Sequence, residues 1–462
     1  MVLGRGLPSF SGARICADGV FVVRKRILPS SRLTIHLGGL LSLALYAGLA
    51  FFSRREPGLP LYAYGVLMGL AWAVYGAAYF RLRRDTSAGM KALIGWALLF
   101  RLAGFLGQPV LEDDHFRYLW DGYVFARQGN PFVSPPAAFF GDGAVPPVFQ
   151  SVLDRINNPD VPTIYGPVCQ AAFLLNFWLS PAKLDGLKIL WAAADLAGTA
   201  AAGALAGPAA VFLYAWCPLL IQESSFSAHP DGLGAALLAM ALFFHRRGRG
   251  GKTALFAALA AGVRVHALML APFLLKKFSK KHALFFGGVL ALLYAPFLLS
   301  GGRTDARALL LFAREWQFNS SVHGLLSWGL PPLAARLLCG ALFAGFWLWV
   351  WARFCRGAAF RGDVLYGGFF LLSPVVNPWY LLWLLPFFAV QPTAWAAAMA
   401  FAGVSYAHGL YVGNGKWAPY QHPAWVRPLE YGAVIAAVWS AIKKKNPRTG
   451  PPPGPCGPRS AH

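Results

Sequence analysis

The stretch Leu111-Glu112-Asp113-Asp114-His115-Phe116-Arg117-Tyr118-Leu119-Trp120-Asp121-Gly122 begins directly after an apolar run at residues 90–107. Taking carboxylates out of water at a membrane surface is costly unless they are paired or hydrogen-bonded. An otherwise oily chain that clusters acids there has a use for them.

The oiliness sets the class. Of 462 residues, 57% are hydrophobic and only 13% charged, and mean hydropathy is +0.50. A soluble globule is excluded, and the expectation is an all-α integral membrane protein. Apolar runs fall near 33–52, 60–80, 90–107, 166–180, 187–206, 208–222, 232–245, 253–275, 282–299, 333–352, 364–390, 393–411 and 428–442. They predict a polytopic bundle of about 10–13 transmembrane helices. The net charge of +23 sits in short basic clusters between these runs, as topogenic charges do, so nucleic acid is not a partner. The six cysteines are scattered, without the spacing of a metal site or disulfide framework.

The clusters Arg24–Arg26, Arg81–Arg84, Arg246–Lys252, Lys276–Lys281, Arg353–Arg361 and Lys443–Lys445 are expected on the cytoplasmic side. Residues 1–32 are then a basic cytoplasmic segment, followed by an uncleaved first span. Residues 33–442 form the membrane domain, its 107–165 loop is extracytoplasmic, and 443–462 are a disordered cytoplasmic tail. Two basic clusters flank the single run 253–275, which reads as a re-entrant hairpin bending near Gly262, Arg264 and His266.

The long loop carries its own order. Helical spacing runs from Asp114 to Arg127, and Gly129 with Pro131 stops it. Asp114, Arg117 or Tyr118, and Asp121 share one face of a helix expected along the membrane interface, acids toward water or a cavity. A purely structural account has Asp113 or Asp114 capping the helix and Arg117 pairing with Asp121, together worth about 0.5–1 kcal/mol. It leaves Glu112 unexplained, because adjacent like charges repel. That repulsion raises one carboxylate's proton affinity and suits it to general-base work.

Four further groups carry chemistry or packing. Glu223, His229 and Asp231 lie at a break between apolar runs, where Asp231 serves equally well as a helix cap. Arg264 and His266 interrupt an apolar run, facing a cavity or snorkelling to a surface. Trp316, Phe318, Trp379 and Tyr380 suit either a sugar or isoprenoid groove or an interfacial aromatic belt. Asp195 stands isolated among alanines with no assigned partner.

An ordered set of motifs now carries a resemblance. It comprises Glu112-Asp113-Asp114-x-x-Arg117-Tyr118-Leu119-Trp120-Asp121-Gly122, Gly129-Asn130-Pro131-Phe132 and Asn158-Pro159-Asp160-Val161-Pro162-Thr163-Ile164-Tyr165-Gly166-Pro167. Glu223-Ser224-Ser225, His229-Pro230-Asp231-Gly232, Trp316-Gln317-Phe318-Asn319 and Asn377-Pro378-Trp379-Tyr380 continue it. The set resembles, from about residue 100 to 390, the bacterial polyprenyl-phosphate-sugar-dependent mannosyltransferases, multi-span glycosyltransferases of the GT-C fold.

The resemblance implies transfer of a hexose, mannose in that family, from a polyprenyl-phosphate donor to a lipid, glycan or protein hydroxyl on the outer face of the membrane. It places the base at Asp113 or Asp114 and the reaction as an inverting displacement. Arg117 is then the phosphate partner. Glu112, Tyr118, Asp121, Tyr165, Glu223, His229, Asp231, Arg264, Trp316, Asn319, Trp379 and Tyr380 complete the substrate-binding set. No cofactor is implied, and a divalent cation is left open. The chain departs from the family at Tyr165-Gly166-Pro167, where a second proline is commoner than Gly166, and at Pro230. The rival from another class is a transporter or lipid-linked-sugar flippase, for which the related halves of such folds are missing from the sequence.

Overall fold

A computed structural model describes residues 31–55, 61–83, 89–110, 113–393, 395–399 and 426–445. Most of the 1–32 segment, Glu112, most of the run at 393–411 and the tail from 446 lie outside the described residues.

Among the described residues the protein is all helix, with one isolated parallel bridge between Phe318 and Val375. The helices α1 (Ser31–Phe52), α2 (Leu61–Leu82) and α3 (Met90–Leu106) pack together ahead of the long loop. That loop holds α4 (Asp114–Gln128), a 3-10 turn (Pro136–Phe139) and α5 (Pro147–Leu153). Then come α6 (Pro167–Leu179), α7 (Asp185–Ala206), α8 (Pro208–Ala215), the one-turn α9 (Pro218–Leu220) and a π-helical turn (Ile221–Phe226). The centre is built by α10 (Asp231–Arg246) and α11 (Gly250–Val263), which pack on each other, with α10 also against α7. Small residues permit the approach: a Cβ on Gly198 of α7 would fall 3.0 Å from the Ala236 Cα.

Among the described residues five helices are long and apolar enough to cross a membrane: residues 32–52, 63–82, 185–206, 280–299 and 332–355. Two of these, α13 (Lys280–Leu299) and α16 (Pro332–Cys355), turn apolar side chains outward, with Leu284 76% and Leu299 87% exposed, as a lipid-facing helix does. The other apolar runs are not continuous spans. Residues 208–222 break at Trp216–Cys217. The run 364–390 divides into α17 (Gly362–Leu372), an extended piece, a 3-10 helix (Pro378–Leu384) and α18 (Leu385–Val390). Prolines at 218, 374 and 378 interrupt the helical ladder. Irregular backbone at such depth persists where it lines a cavity or is covered by protein.

Run 253–275 doubles back. Arg264 is extended (φ −141°, ψ 127°), and a 3-10 helix (Val265–Leu270) and α12 (Ala271–Leu275) retrace the path of α11. Gly250 lies against His282 and Phe278, Lys277 Nζ donates to the His245 carbonyl, and His245 Nδ1 sits 2.8 Å from the Leu274 carbonyl. The two flanking basic clusters therefore share one end of the bundle.

The chain closes with α14 (Ala306–Glu315), α15 (Val322–Leu326) and, last, α19 (Val426–Lys445). Lys443–Lys445, expected in a disordered tail, continue this last helix.

Candidate functional site

Helix α4 stops where the sequence says: Gly129 is left-handed (φ 76°), and its N–H caps the Phe125 carbonyl. The following Asn130 amide gathers the carbonyls of Phe297 (2.8 Å), Ser300 (2.8 Å) and Arg303 (3.3 Å), while its oxygen accepts from the Phe132 N–H. This fastens the long loop to the end of α13.

At the other end of α4 the two aspartates divide. Asp113 is 8% exposed and lies behind the site, whereas Asp114 faces a cavity of about 320 Å³. Asn157 Nδ2 donates to Oδ1 of both Asp113 and Asp114, and Tyr165 Oη donates to Asp114 Oδ2 at 2.9 Å. Burial, then the charge of Asp114, pushes the Asp113 carboxyl up to about 7. Asp113 thus holds a proton more tightly than an ordinary carboxyl, while Asp114 is the one of the two that lines the cavity.

The cavity brings together Asp114, Arg117, Tyr165, Arg264, Trp316, Trp379 and Tyr380 from the sequence-predicted set. Its far wall is made by the bridge at Phe318, where the Phe318 N–H donates to the Pro374 carbonyl and the Val376 N–H to the Phe318 carbonyl, both at 2.9 Å. Arg264 forms a bidentate pair with Asp231, and its guanidinium stands 4.9 Å from the Tyr165 ring centroid and 5.4 Å from that of Tyr380. It does not snorkel. Trp379 and Tyr380 are 4% and 9% exposed, interior rather than part of a belt.

Several expectations require correction. Arg117 forms no salt bridge with Asp121; it lines the cavity and binds backbone carbonyls of the 157–161 segment. Its Nη1 donates to the Val161 carbonyl (2.9 Å) and its Nη2 to those of Asn157 (3.3 Å) and Asn158 (3.0 Å). A cation buried among carbonyls holds a loop shape. Asp121 does not face water or the cavity: it is buried, accepts from Gln170 Nε2 at 3.0 Å, and burial lifts its carboxyl to about 6. Gln170 also reaches Thr163 Oγ1 (3.1 Å) and the Tyr165 carbonyl (3.2 Å), so Asp121 organises the segment that presents Tyr165. Asn319 does not line the cavity; its amide donates to Glu430 of α19 at 3.0 Å. His266 packs away from the cavity on Trp383 and Tyr366. Glu112 lies outside the described residues.

Glu223, His229 and Tyr118 form the layer behind Asp114. His229 is fully buried, stacked on Trp379 with centroids 3.9 Å apart, and its Nδ1 lies 2.7 Å from Glu223 Oε2. The π-helical turn aims Glu223 inward, and such turns recur at functional sites. Asp195, unassigned from sequence, has Arg101 Nε 3.8 Å from its Oδ2. Sequence reasoning missed Asn157, whose place in a polar turn segment gave no hint of two carboxylates 43 and 44 residues away. Among the described residues no group of three or more His, Cys, Asp or Glu is placed to hold a metal ion.

No family model matches the chain, and no curated protein and no solved structure matches it.

Proposed function

We propose that the protein is an integral membrane glycosyltransferase that moves a hexose, mannose by the motif resemblance, from a polyprenyl-phosphate donor to an acceptor hydroxyl on the extracytoplasmic side. One observation carries the reading. Asp114, on the first turn of α4, presents a carboxylate to a cavity walled by aromatic rings and by the Arg264–Asp231 pair, with Tyr165 and Asn157 fixing its orientation.

The chemistry assigned to these residues is a single displacement. Asp114 takes the acceptor's hydroxyl proton as its oxygen bonds to the anomeric carbon, and the bond from that carbon to the phosphate oxygen breaks with inversion. Trp316, Trp379 and Tyr380 supply faces on which a sugar ring stacks. Arg264, over the Tyr165 and Tyr380 rings in the cavity wall, joins Arg117 as a cation for the leaving phosphate. The apolar surfaces of Phe312 and Phe318 suit the first isoprene units.

The test is transfer of radiolabelled hexose from a polyprenyl-phosphate donor by membranes carrying wild type, Asp114→Asn or Asp113→Asn. Asp114→Asn is expected to abolish transfer and Asp113→Asn to retain most of it. Equal activity in all three removes Asp114 as the base. A second reading, translocation of a lipid-linked sugar, draws on Arg101 and Asp195 buried between α3 and α7, since ionisable groups at depth also mark transport paths. It gains if wild type transfers no sugar yet moves labelled lipid-linked sugar across vesicle membranes.

A further inference from the structure

The doubled-back run 250–275 gives the bundle one strongly charged end. The turn from α10 into α11 (Arg246–Lys252) and the turn from α12 into α13 (Lys276–Lys281) hold four Lys or Arg each and no Asp or Glu. All eight cations are exposed. Among the described residues none of them forms an ion pair. The two turns nevertheless touch, since a Cβ on Gly250 would fall 2.7 Å from the His282 ring and 2.9 Å from Phe278. Like charges held together repel, so this packing calls for a counter-charge that the chain does not supply.

Two observations say what supplies it. The cations sit on aromatic rings: Lys252 Nζ is 5.0 Å from the Phe244 centroid, and Lys276 Nζ is 5.6 Å and 5.3 Å from those of Trp351 and Phe354. Rings below and ammonium groups above make the arrangement of a membrane–water boundary. The second observation is the face of α13, a helix long and apolar enough to span, that leaves this end. Lys281, Leu284, Gly288 and Leu292 follow one another at spacings of three or four along it. Leu284 and Leu292 are 76% and 73% exposed, and a Cβ on Gly287 or Gly288 would meet nothing within 4 Å. The face is a notch between two leucines, headed by a lysine.

From this juxtaposition we propose that the turns 246–252 and 276–281 bind an anionic phospholipid, its phosphate on Lys280 and Lys281 and one acyl chain along Leu284, Gly288 and Leu292. Charge and apolar notch are then matched by one molecule. A free phosphate or an acidic peptide would leave the leucines bare. The surface is remote from the cavity: α11 has 14 residues, which puts Gly250 about 20 Å from Arg264 in the cavity wall. The lipid is therefore a structural ligand and not a substrate. By neutralising the open end of the hairpin it favours the folded arrangement that carries Arg264 at the other end.

The experiment places the full chain in nanodiscs of phosphatidylcholine and phosphatidylglycerol in equal parts, strips bulk lipid by detergent exchange and counts the retained lipids by mass spectrometry. Wild type should retain phosphatidylglycerol over phosphatidylcholine by about tenfold or more, and should unfold at higher temperature when phosphatidylglycerol is present. Lys276→Gln/Lys280→Gln/Lys281→Gln should bring the ratio close to one and remove the thermal shift; Lys277 stays because it donates to the His245 carbonyl. Arg54→Gln/Arg55→Gln, a basic pair beside the start of the long loop, should change neither. Gly288→Trp fills the notch without altering charge and should also lower the ratio. An unchanged ratio in the lysine variant overturns the proposal. So does an equal loss in the Arg54/Arg55 variant, which would mean that any exposed cations suffice. Displacement of phosphatidylglycerol by inorganic phosphate at matched ionic strength overturns it too, because the site would then be one for a free anion. Should the lysine variant fail to fold, an unchanged ratio in Gly288→Trp overturns the proposal by itself.

Discussion

Arg264 rests on Asp231 with Nη2 2.9 Å from Oδ2 and Nε 3.3 Å from Oδ1, the two residues joining the turn after α11 to the first turn of α10. Removing one partner of a buried pair leaves the other charge uncompensated, at about 3–5 kcal/mol. Asp231→Ala is therefore expected to lower thermal stability in detergent far more than Asp154→Ala, an exposed aspartate at the end of α5. Equal losses would mean the pair contributes little to the packing of α10 on α11.

Asp113 sets a pH dependence of the opposite sense to an ordinary salt-bridged carboxylate. Its folded carboxyl sits at about 7 against 3.8 for the unfolded group. The folded state thus binds the proton more tightly, and this contribution to stability is complete at acid pH. It fades as pH rises from about 4 through 7. Asp113→Asn keeps an acceptor for Asn157 without the charge. Unfolding midpoints followed from pH 5 to 8 should fall less steeply in this variant than in wild type, and parallel slopes would refute the assignment.

Arg117→Ala should release the 157–161 segment by freeing three carbonyls at once. Bonds to a charged donor contribute about 1.5–3 kcal/mol, so proteolytic nicking between 154 and 163 should accelerate. Arg117→Lys should not restore protection, because an ammonium is a compact point charge that cannot span the carbonyls a planar fork reaches.

Two glycines should respond differently to alanine. Gly129 has open space around its Cβ position but a left-handed backbone, so substitution there should cost about 1 kcal/mol. Gly166 has an ordinary φ of −65°, yet a Cβ would lie 2.3 Å from the Gly262 carbonyl oxygen. Gly166→Ala must push α6 away from the end of α11, and a drop in both stability and sugar transfer is expected.

Gly166 also shows what the sequence could and could not convey. It looked like a departure from a Tyr-Pro-Pro pattern; the close approach of Gly262 accounts for it, since proline too carries a Cβ. The stop of α4 at Gly129 was readable because it is local chemistry. The choice between Asp113 and Asp114 was not, because it depends on which side of the helix start meets the cavity. Arg117 and Asp121 lie four apart and looked like a pair, yet each is satisfied by partners from the 157–170 segment. The continuous span expected at 364–390 was lost to the extended piece that pairs with Phe318. Such pairing between distant segments leaves no periodicity behind.

The Asn130 clamp has a consequence for biosynthesis. Its carbonyl partners at Phe297, Ser300 and Arg303 lie 167 to 173 residues downstream. At translation speeds of about 5–20 residues per second, the loop bearing Asp114 waits roughly 8–35 s after emerging before its anchor exists. The acidic loop is thus without this anchor during more than a third of the chain's synthesis, and the cavity is complete only after Trp379 and Tyr380 have followed α13.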